Sequence, residues 1–479
     1  MKSFSPTLFF GQRYAVLGLG RNGCAAVQAL TQMGAFVQAW DDSPDHRKAL
    51  ENNLADKSIS ALLTLSPIQT LTGMDGLILS PGIPHHLPQP HPVAAMARES
   101  GIPILSDSEL LYRAVRQSGS SAVFAGITGT NGKSTTTTLL THLLQHHNIP
   151  AVAGGNLGPA ALSLPLLDDQ GVYVLEMSSY MLERVYDLRF HVACLLNLTP
   201  DHLDRHGHMD GYAAAKKRIF QNQNSHDLSL ISQDDTSCLK ITEELEKTSL
   251  SEIVKMTSSP RISAPLSTDG QKIYYEGQAV LSLQEAKTLP GLHNAQNAMA
   301  ASLMAHRLGV PFPAIQKGLQ TYPGLAHRQQ MAGTVGSVHF INDSKATNAD
   351  AASKALSCYN PLVWIAGGQS KAGGIESLVT FFPHIAKAFL IGQDAEILAQ
   401  TLARHHVEFS LSGTLEQATQ AAYAYASANA IATVLFSPAC ASFDQFKNFE
   451  ERGERFVEIV SHMGLHPMKN VPLQPPDSL

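Results

Sequence analysis

A glycine-rich turn between an apolar strand and a helix is the feature that most constrains how this chain can fold. Apolar residues 122–125 run into Gly-Ile-Thr-Gly-Thr-Asn-Gly-Lys-Ser-Thr at residues 126–135, and leucines at 139, 140, 143 and 144 follow at helical spacing. A strand that ends in glycines and opens a helix directs backbone N–H groups and the positive end of the helix dipole at one anion. The sequence therefore predicts a phosphate-binding loop.

The residue types in this turn fit a polyphosphate. Gly129 and Gly132 would let the backbone approach phosphate oxygens. Lys133 would set an ammonium against the terminal phosphates, and Ser134 would offer its hydroxyl to Mg²⁺. The predicted phosphate-contacting residues are Gly129, Thr130, Asn131, Gly132, Lys133, Ser134 and Thr135. The alternative is a glycine-rich turn with a chance lysine, because the strict pattern would place glycine at position 127, which is Ile127.

Length, charge and cysteine usage narrow the class of protein. With 479 residues, the chain is expected to form about three domains at roughly 150 residues each. A net charge of −6 and a pI near 6.4 argue against binding to nucleic acid or a membrane surface. The five cysteines are scattered without a C-x-x-C pair, which disfavours a disulfide framework or a zinc knuckle. We therefore expect a cytoplasmic protein whose partners are small molecules, and we also expect a monomer.

The first predicted domain, residues 1–118, contains a second glycine turn. A short strand at 14–17 leads into Gly-Leu-Gly-Arg-Asn-Gly, and a second strand ends at Asp41. This G-x-G-x-x-G spacing with a later carboxylate is typical of pyrophosphate and ribose binding. The turn fits a UDP-linked substrate, a nicotinamide cofactor or a purely structural role. The predicted UDP-substrate residues are Gly18, Gly20, Arg21, Asn22, Asp41, Ser80, Pro81 and Gly82, with Asn156 from the next domain.

The central predicted domain, residues 119–324, places more polar side chains after buried strands. Residues 172–176 form an apolar strand pattern that ends in Glu176, and a strand pattern at 192–198 precedes His202 and His206. Because ligands collect outside the carboxyl ends of parallel strands, Glu176 is expected to face the same crevice as Lys133. The two histidines leave three alternatives open: a catalytic zinc site, a Mg²⁺ site that uses His202, or structural histidines.

A helical segment, a hairpin and a second helical segment follow in the same domain. Residues 212–220 predict a helix with a cationic face, which is most simply a solvated basic helix. An Asp-Gly pair at 269–270 predicts a hairpin between short strands. Near residue 292 an alanine-rich helix begins, with Asn294 and Asn297 on one face. The two amide side chains would hydrogen-bond to an adenine or a phosphate, or would cap the helix.

Four motifs in this order resemble the ATP-dependent Mur ligases: Thr-Gly-Thr-Asn-Gly-Lys-Ser, the E-x-S-S at 176–179, D-H-L-D at 201–204 and H-N-A-Q-N at 293–297. The resemblance implies that ATP phosphorylates a substrate carboxylate and an amine then displaces phosphate to form an amide. It implies an α/β fold of three domains: Rossmann-like, P-loop ATPase-like with a parallel sheet and a small β addition, and Rossmann-like. The implied catalytic residues are Lys133, Lys216, His202 and Glu176. The implied Mg²⁺ ligands are Ser134, Glu176, His202 and Lys216, the last as a carbamate.

The third predicted domain, residues 325–479, carries the remaining motifs. By resemblance, Asn294, Asn297, Arg328 and Asp343 would contact ATP. The stretch 435–453 resembles that of family members which join D-glutamate to UDP-N-acetylmuramoyl-L-alanine in peptidoglycan precursor synthesis. The implied amino-acid-binding residues are Lys345, Thr347, Lys371, Ser442, Phe443 and Phe449. Alternatively, Phe443, Phe446 and Phe449 are core residues at i, i+3 spacing.

Several other functions remain open at this stage. Within the family, a different amino acid is possible, and folylpolyglutamate synthetase is a further relative, although it should lack the N-terminal glycine turn. Outside the family, an NAD-dependent oxidoreductase would use that turn for its cofactor. A nucleotide-binding module without turnover is the third alternative.

Overall fold

The computed structural model describes residues 2–53, 61–371 and 373–465. Within these residues the longer strands form sheets of five, nine and six strands. The chain divides into two compact units. Unit 1 contains Met1–Ala286 and Leu292–Tyr322, and unit 2 contains Lys287–Gly291 and Pro323–Leu479. The first two sheets belong to unit 1 and the third to unit 2.

The first sheet has the order β3-β2-β1-β4-β5 and is parallel throughout. Its strands are β1 (Arg13–Leu17), β2 (Phe36–Trp40), β3 (Leu63–Leu65), β4 (Gly76–Leu79) and β5 (Ile104–Leu105). Its helices are α1 (Arg21–Gln32), α2 (Pro44–Asn53), α3 (Pro92–Glu99) and α4 (Asp107–Gln117). Apolar runs such as the fully buried β4 suit a parallel sheet, which is covered on both faces. The predicted Rossmann-like arrangement is confirmed.

The second sheet has the order β14-β13-β12-β11-β10-β9-β6-β8-β7. Its strands are β6 (Val123–Thr128), β7 (Ala151–Gly155), β8 (Val172–Glu176), β9 (Val192–Leu195), β10 (Leu228–Ser232), β11 (Glu252–Thr257), β12 (Leu266–Thr268), β13 (Lys272–Tyr275) and β14 (Gln278–Ser282). In this order, all neighbouring strands between β12 and β7, which include β6, pair in parallel. The β12–β13 and β13–β14 pairs are antiparallel. The small β addition and the hairpin at 269–270 are therefore confirmed.

The helices of this part begin with α5, which directly follows the phosphate loop. They are α5 (Lys133–His146), α6 (Ser179–Leu182), α7 (Leu203–His206), α8 (Met209–Lys217), α9 (Thr236–Thr248), α10 (Leu292–Arg307) and α11 (Phe312–Thr321). The predicted cationic face on residues 212–220 is wrong. Lys216 is buried, Lys217 pairs with Glu244, and the Arg218 guanidinium donates to the carbonyls of residues 182 and 185. Burial by neighbouring elements cannot be read from a run of charges.

One strand is shorter than the sequence predicts. The pattern at 192–198 predicts a strand to Leu198, but β9 ends at Leu195. The backbone N–H of Leu198 donates to the Asp235 carboxylate at 2.9 Å instead of to a neighbouring strand. A side chain from the start of α9 therefore replaces the sheet partner and ends the pairing.

The first two sheets share one hydrophobic core. Its buried side chains include Val27 and Leu30 of α1, and Tyr173 and Leu175 of β8. The fully buried Glu109 carboxylate of α4 adds a polar connection, because it accepts the backbone N–H groups of residues 186–188. A charged group in this position has its hydrogen bonds satisfied across the junction, which ties the two sheets into one unit.

The third sheet has the order β15-β16-β20-β17-β18-β19. Its strands are β15 (Gln330–Val335), β16 (Val338–Asn342), β17 (Leu362–Gly367), β18 (Ile385–Ile391), β19 (Phe409–Gly413) and β20 (Thr433–Phe436). Its helices are α12 (Ala349–Leu356), α13 (Ala395–Arg404), α14 (Leu415–Ala428) and α15 (Phe449–Leu465). β15 pairs antiparallel with β16, and the other pairings are parallel. This second open α/β sheet is as predicted.

Two further observations concern apolar residues. The alternative that Phe443, Phe446 and Phe449 form a helical core stripe is wrong, because α15 begins only at Phe449 and Phe443 is 70% exposed. Across the described ranges of the chain, we find no helix that combines the length and the apolar character required to cross a bilayer.

Candidate active site

The phosphate loop lies between β6 and α5, as the sequence predicts. Gly129 has φ +151° and Gly132 has φ +87°, which L side chains rarely adopt. A Cβ on Gly132 would overlap Oδ1 of Asn297, and a Cβ on Gly129 would lie 3.1 Å from Cβ of Leu196. The glycines are therefore required by the loop's own neighbours, before any phosphate is considered.

A segment after β9 holds the loop in shape. The Asn197 carbonyl accepts the Thr130 N–H at 2.9 Å. The Asn197 side chain accepts the Asn131 N–H at 2.8 Å and donates to the Asn131 carbonyl at 3.1 Å. The Thr130 hydroxyl donates to the Thr199 carbonyl at 3.1 Å. Sequence reasoning missed Asn197, although an amide directly after a strand at the ligand edge of a parallel sheet was an available signal.

Two lysines converge on this loop. Lys133 Nζ donates to the carbonyls of Gly129 and Thr130 at 2.9 and 2.7 Å. Lys216 Nζ donates to the same Gly129 carbonyl at 2.9 Å and to the Thr128 hydroxyl at 3.2 Å. Burial and the nearby Lys133 charge lower the pKa of Lys216 well below 10.5. The structure therefore brings together two of the predicted catalytic residues.

Glu176 ends β8 in the same crevice. Its side chain is buried, and its charge acts on Lys216. Oε1 accepts a hydrogen bond from Asn156 Nδ2 at 2.7 Å, whereas Oε2 is buried without a hydrogen-bond partner. An anionic oxygen in that position suits a hard cation. Within residues 2–53, 61–371 and 373–465, no group of three or more His, Cys, Asp or Glu side chains is arranged to hold a metal ion.

His202 and His206 have different surroundings. His202 has φ +53°, and its side chain is 47% exposed beside Asp201. Burial and the charges of Lys216 and Lys133 lower its pKa. His206 is buried, with Nε2 2.9 Å from Ser179 Oγ and Nδ1 3.4 Å from Glu183 Oε1. The two rings therefore do not serve as one zinc-binding pair.

The other residues predicted around ATP in unit 1 also lie at the loop. Ser134 is buried at the start of α5, and Thr135 follows it. Asn294 and Asn297 are on adjacent turns of α10, where Asn297 Nδ2 donates to Asn294 Oδ1 at 3.2 Å. Thr136 donates to Asn297 Oδ1 at 3.4 Å. The predicted shared face of the two amides is confirmed, and it is turned toward the phosphate-loop helix.

The N-terminal glycine turn is held by its own neighbours. Gly18 has φ +88°, and its carbonyl accepts the Ser80 hydroxyl at 2.9 Å. The Asp41 carboxylate accepts the N–H groups of Leu19 and Ser43 at 2.6 and 2.9 Å. Burial alone would raise the pKa of the Asp41 carboxyl. The hydrogen bonds from Leu19 and Ser43 and the nearby His46 outweigh burial, so the pKa lies below its ordinary value. Asp41 therefore has a structural role in the turn, whatever it does for a ligand.

The predicted UDP-substrate residues come from both sheets of unit 1. Gly20 and Arg21 are exposed at the start of α1, and Arg21 Nη2 lies 3.5 Å from the Asn156 carbonyl. Asn22 donates to the buried Asp107 carboxylate at 3.2 Å. Pro81, in the turn after β4, lines a narrow cleft together with Asn22 and Asp107. The link from the N-terminal turn to the loop that carries Asn156 is therefore the Arg21 side chain.

In unit 2, predicted ligand residues collect at the carboxyl ends of the strands. Asp343 follows β16, and its carboxylate accepts the Ser437 hydroxyl at 2.7 Å and the Gln329 N–H at 3.2 Å. Burial raises the pKa of Asp343 to about 7, although both hydrogen bonds and Arg328 lower it. Arg328 lies before β15 and is half-buried.

Two of the predicted amino-acid residues, Lys345 and Phe449, meet at the start of α15. Lys345 Nζ lies 3.8 Å from the centroid of the Phe449 ring. Arg452, which is fully buried, donates to the Ser344 hydroxyl at 3.0 Å and to the carbonyls of Ser344 and Cys440. It thereby joins the loops after β16 and β20, which carry Lys345 and Ser442. Sequence reasoning missed Arg452, because an arginine in a polar helix start usually faces water.

The other members of this set are less enclosed. Thr347 is half-buried beside Lys345, and its N–H donates to the Lys345 carbonyl at 2.8 Å. Ser442 is buried, whereas Lys371 and Phe443 are exposed.

Comparison with known proteins identifies relatives over nearly the whole chain. The model described as Mur ligase middle domain matches residues 127–305, and the model described as Mur ligase, glutamate ligase domain matches residues 327–440. A curated protein of Paramagnetospirillum magneticum, UDP-N-acetylmuramoylalanine--D-glutamate ligase, is 45% identical over 95% of this chain and 98% of its own length. Proteins of the same name from Rhodospirillum rubrum and Caulobacter vibrioides are 46% and 44% identical over 95% of this chain, covering 95% and 96% of their own lengths.

Solved structures support the fold. UDP-N-acetylmuramate-alanine ligase of Thermotoga maritima superposes with a TM-score of 0.58 at 17% identity, covering 94% of this chain and 99% of that protein. The MurF ligase of Thermotoga maritima, solved in complex with ADP, gives a TM-score of 0.56 at 14% identity, covering 96% and 97%. At these identities the likeness concerns the arrangement of sheets and helices alone.

Proposed function

The chain belongs to the Mur ligase family, and on that premise we propose that it joins D-glutamate to UDP-N-acetylmuramoyl-L-alanine with the consumption of ATP. The observation that carries this proposal is the 44–46% identity, over 95% of the chain, to relatives with that activity in their name. The product would be a peptidoglycan precursor. The described cysteines are unpaired, which suits a reducing cytoplasm.

The first step would be phosphorylation of the acceptor carboxylate. An oxygen of the L-alanine carboxylate attacks the γ-phosphorus of ATP, the bond to the β-phosphate oxygen breaks, and ADP leaves. Because Asn197 accepts the N–H groups of Thr130 and Asn131, the N–H groups of Gly132 and Lys133 at the start of α5 would bind the phosphates. The Lys133 ammonium would balance charge as it moves onto the leaving group. Because Asn197 already fixes the loop, little reorganisation would be needed when ATP binds.

The second step would be amide formation. The amine nitrogen of D-glutamate attacks the acyl carbon, phosphate leaves with its oxygen, and the nitrogen loses a proton to a base. We propose that Lys345, Thr347 and Lys371 bind the incoming amino acid together with Ser442, Phe443 and Phe449. Arg328 and Asp343 would contact the nucleotide. The acyl phosphate makes this step favourable, because direct condensation in water is uphill.

Mg²⁺ would be held by Ser134, Glu176, His202 and the carbamate of Lys216. The buried, unpartnered Oε2 of Glu176 fits such an ion, since an anionic oxygen without a donor is costly in a protein interior. When bound, the ion would neutralise the phosphate oxygens and draw electron density from the reacting phosphorus.

The carbamate at Lys216 is implied by the family resemblance, and the local geometry supports it. A neutral amine adds to CO₂ and releases one proton, so a lowered pKa favours the reaction. The product replaces an ammonium with a carboxylate-like donor that Mg²⁺ prefers. Two like charges near Gly129, from Lys133 and Lys216, would become opposite charges. This change would relieve the repulsion between the two side chains.

Substitution by arginine tests the carbamate. Lys216→Arg keeps a cation but cannot form the carbamate, so ligase turnover should collapse while thermal unfolding shows a folded protein. Lys217→Arg is the matched control, because the neighbouring Lys217 is partly exposed and pairs with Glu244. It should remain active. A folded Lys216→Arg enzyme with much of its activity would remove the carbamate from the mechanism.

Substrate dependence tests the proposed function as a whole. Phosphate release from ATP should require the UDP-linked acceptor, and formation of the amide product should in addition require D-glutamate. L-alanine, L-glutamate and meso-diaminopimelate serve as competing amino acids. If one of these is used better than D-glutamate, the assignment within the family is wrong. A change in NADH absorbance without phosphate release would instead favour an oxidoreductase.

A further inference from the structure

A buried polar cluster joins the acceptor side of unit 1 to its catalytic loop. At its centre is Glu183, directly after α6, with a side chain that is 23% exposed. Oε1 lies 3.4 Å from Nδ1 of His206, in the segment that carries His202. Oε2 lies 3.5 Å from Nε2 of His85, which follows the Ser80–Pro81–Gly82 turn. One carboxylate therefore faces both loops.

The partners of the two histidines fix which ring nitrogens carry hydrogen. Arg184 Nη2 is only a donor and lies 3.3 Å from His85 Nδ1, so Nδ1 accepts and the hydrogen is on Nε2, toward Glu183. Burial and the Arg184 charge lower the pKa of His85 to about 3, which keeps it neutral. His206 presents Nδ1–H to Glu183, and its Nε2 accepts from the Ser179 hydroxyl at 2.9 Å.

Two arginines strengthen the same connection. The buried Arg184 donates to the carbonyls of Leu79 and Ile83 at 2.7 and 3.0 Å. Arg205, next to His206, donates to the Gly82 carbonyl at 3.0 Å. The Arg205 guanidinium also lies 4.6 Å from the ring centroid of Tyr180, which stacks on His206. Arg184 and Arg205 therefore hold the turn after β4 in place through hydrogen bonds to its carbonyls.

We infer that Glu183 is a positioning residue that couples the acceptor-binding turn at residues 80–85 to the catalytic loop at residues 201–206. Its two oxygens hold His85 and His206 in single tautomers and fixed positions. His206 in turn packs against Tyr212, whose hydroxyl lies 3.3 Å from that of Thr130 in the phosphate loop. An acceptor that orders residues 80–85 would thereby order the loop that carries His202. The inference rests on the proposed function, since it assigns the acceptor to this turn.

The coupling is tested with Glu183→Gln. An amide Nε2–H would face the Nε2–H of His85, so one of the two contacts must break. We expect kcat to fall by about tenfold to a hundredfold, since small misplacements of reacting groups cost that much. KM for the UDP-linked acceptor should rise, and KM for ATP should stay within about twofold, since Asn197 fixes the phosphate loop without Glu183.

Glu109→Gln is the matched control. Glu109 also ties the two sheets together through a buried carboxylate, but its partners are Arg113 and the N–H groups of residues 186–188. It should lower the melting temperature without lowering kcat. In the double variant Glu183→Gln/His206→Asn, the kcat loss should not exceed that of the more affected single variant. Multiplying losses, or equal kcat for Glu183→Gln and Glu109→Gln, would overturn the inference.

Amide hydrogen exchange separates this inference from the proposed function. Glu183→Gln should speed exchange at residues 80–85 and 201–206, and Glu109→Gln should speed it at residues 186–188. Unchanged exchange at both loops in Glu183→Gln would refute the coupling, whatever reaction the enzyme catalyses. A wild-type enzyme that releases no phosphate with any acceptor would refute the proposed function. The hydrogen-exchange result would still decide whether Glu183 couples the two loops.

Discussion

Substitution of Gly132 by alanine should damage both the stability of the phosphate loop and its affinity for nucleotide. Gly132 precedes α5 with φ +87°, a conformation that costs an L residue about 1–2 kcal/mol. In addition, the new Cβ would overlap Oδ1 of Asn297. Asn297 must then move and would lose its contacts with Thr136 and Asn294, at about 0.5–1.5 kcal/mol each.

The two contributions can be separated by a control glycine. Gly277 has φ +77° in the turn between β13 and β14, and no atom lies within 4 Å of a Cβ placed there. Gly277→Ala should therefore carry the backbone cost alone, about 1–2 kcal/mol. Gly132→Ala should cost about 2–5 kcal/mol in total. At about 2–4 °C per kcal/mol, its melting temperature should fall about 1.5 to 4 times as far as that of Gly277→Ala.

The assay is a thermal melt combined with ATP titration of each variant. ATP affinity should fall at least about tenfold in Gly132→Ala, since a loop shifted by a fraction of an ångström no longer directs its N–H groups at the phosphates. It should not change in Gly277→Ala. The double variant Gly132→Ala/Asn297→Ala removes the overlap. Its fall in melting temperature should therefore be smaller than the sum of the falls for the two single variants. Equal melting temperatures for the two single glycine variants would refute the steric argument.

Two further perturbations follow from the charges of the site. Lys133→Ala should lower turnover by about 10²-fold or more with the fold intact, because the ammonium acts mainly in the transition state. The rate of phosphate release measures this loss. Near-normal turnover in a folded variant would exclude the loop from the mechanism. The raised Asp343 pKa of about 7 means that the folded state binds this proton more tightly than the unfolded chain, whose aspartate has a pKa near 3.9. Its stabilising contribution is therefore complete below about pH 4 and is lost as the pH rises to about 7, by up to about 4 kcal/mol. Asp343→Asn should flatten this part of the stability profile, and an unchanged slope in a melting series would contradict the assignment.

Local patterns predicted the parts of the site that lie on regular elements. The phosphate loop, the G-x-G-x-x-G turn and Glu176 all sit at strand ends, where alternating strands and helices fix the ligand edge. The strands predicted at 14–17 and 172–176 agree with β1 and β8 to within one residue, because apolar runs of four to six residues between turns leave few alternatives. Where β9 stops short at Leu195, the cause is a long-range bond to Asp235, which no local pattern contains.

Residues whose roles depend on distant partners could not be predicted. Asn197 acts on the loop through its side chain, Arg184 and Arg452 are buried on carbonyls far along the sequence, and Lys216 is buried within a run of basic residues. Propensity and periodicity would place such charges at the surface. The resemblance to a family supplied Lys216, and nothing in the spacing supplied the others.

The core shared by the first two sheets has a consequence for synthesis of the protein. The N-terminal sheet leaves the ribosome before any residue of β8 exists, so the shared core that includes Val27 and Leu30 of α1 is still incomplete at that point. The Glu109 carboxylate likewise awaits residues 186–188. For the time needed to translate roughly 70 more residues, several seconds at about 5–20 residues per second, the nascent chain would expose an apolar face. This interval is when a chaperone would engage it, and a fragment ending near residue 118 would keep that exposed state permanently.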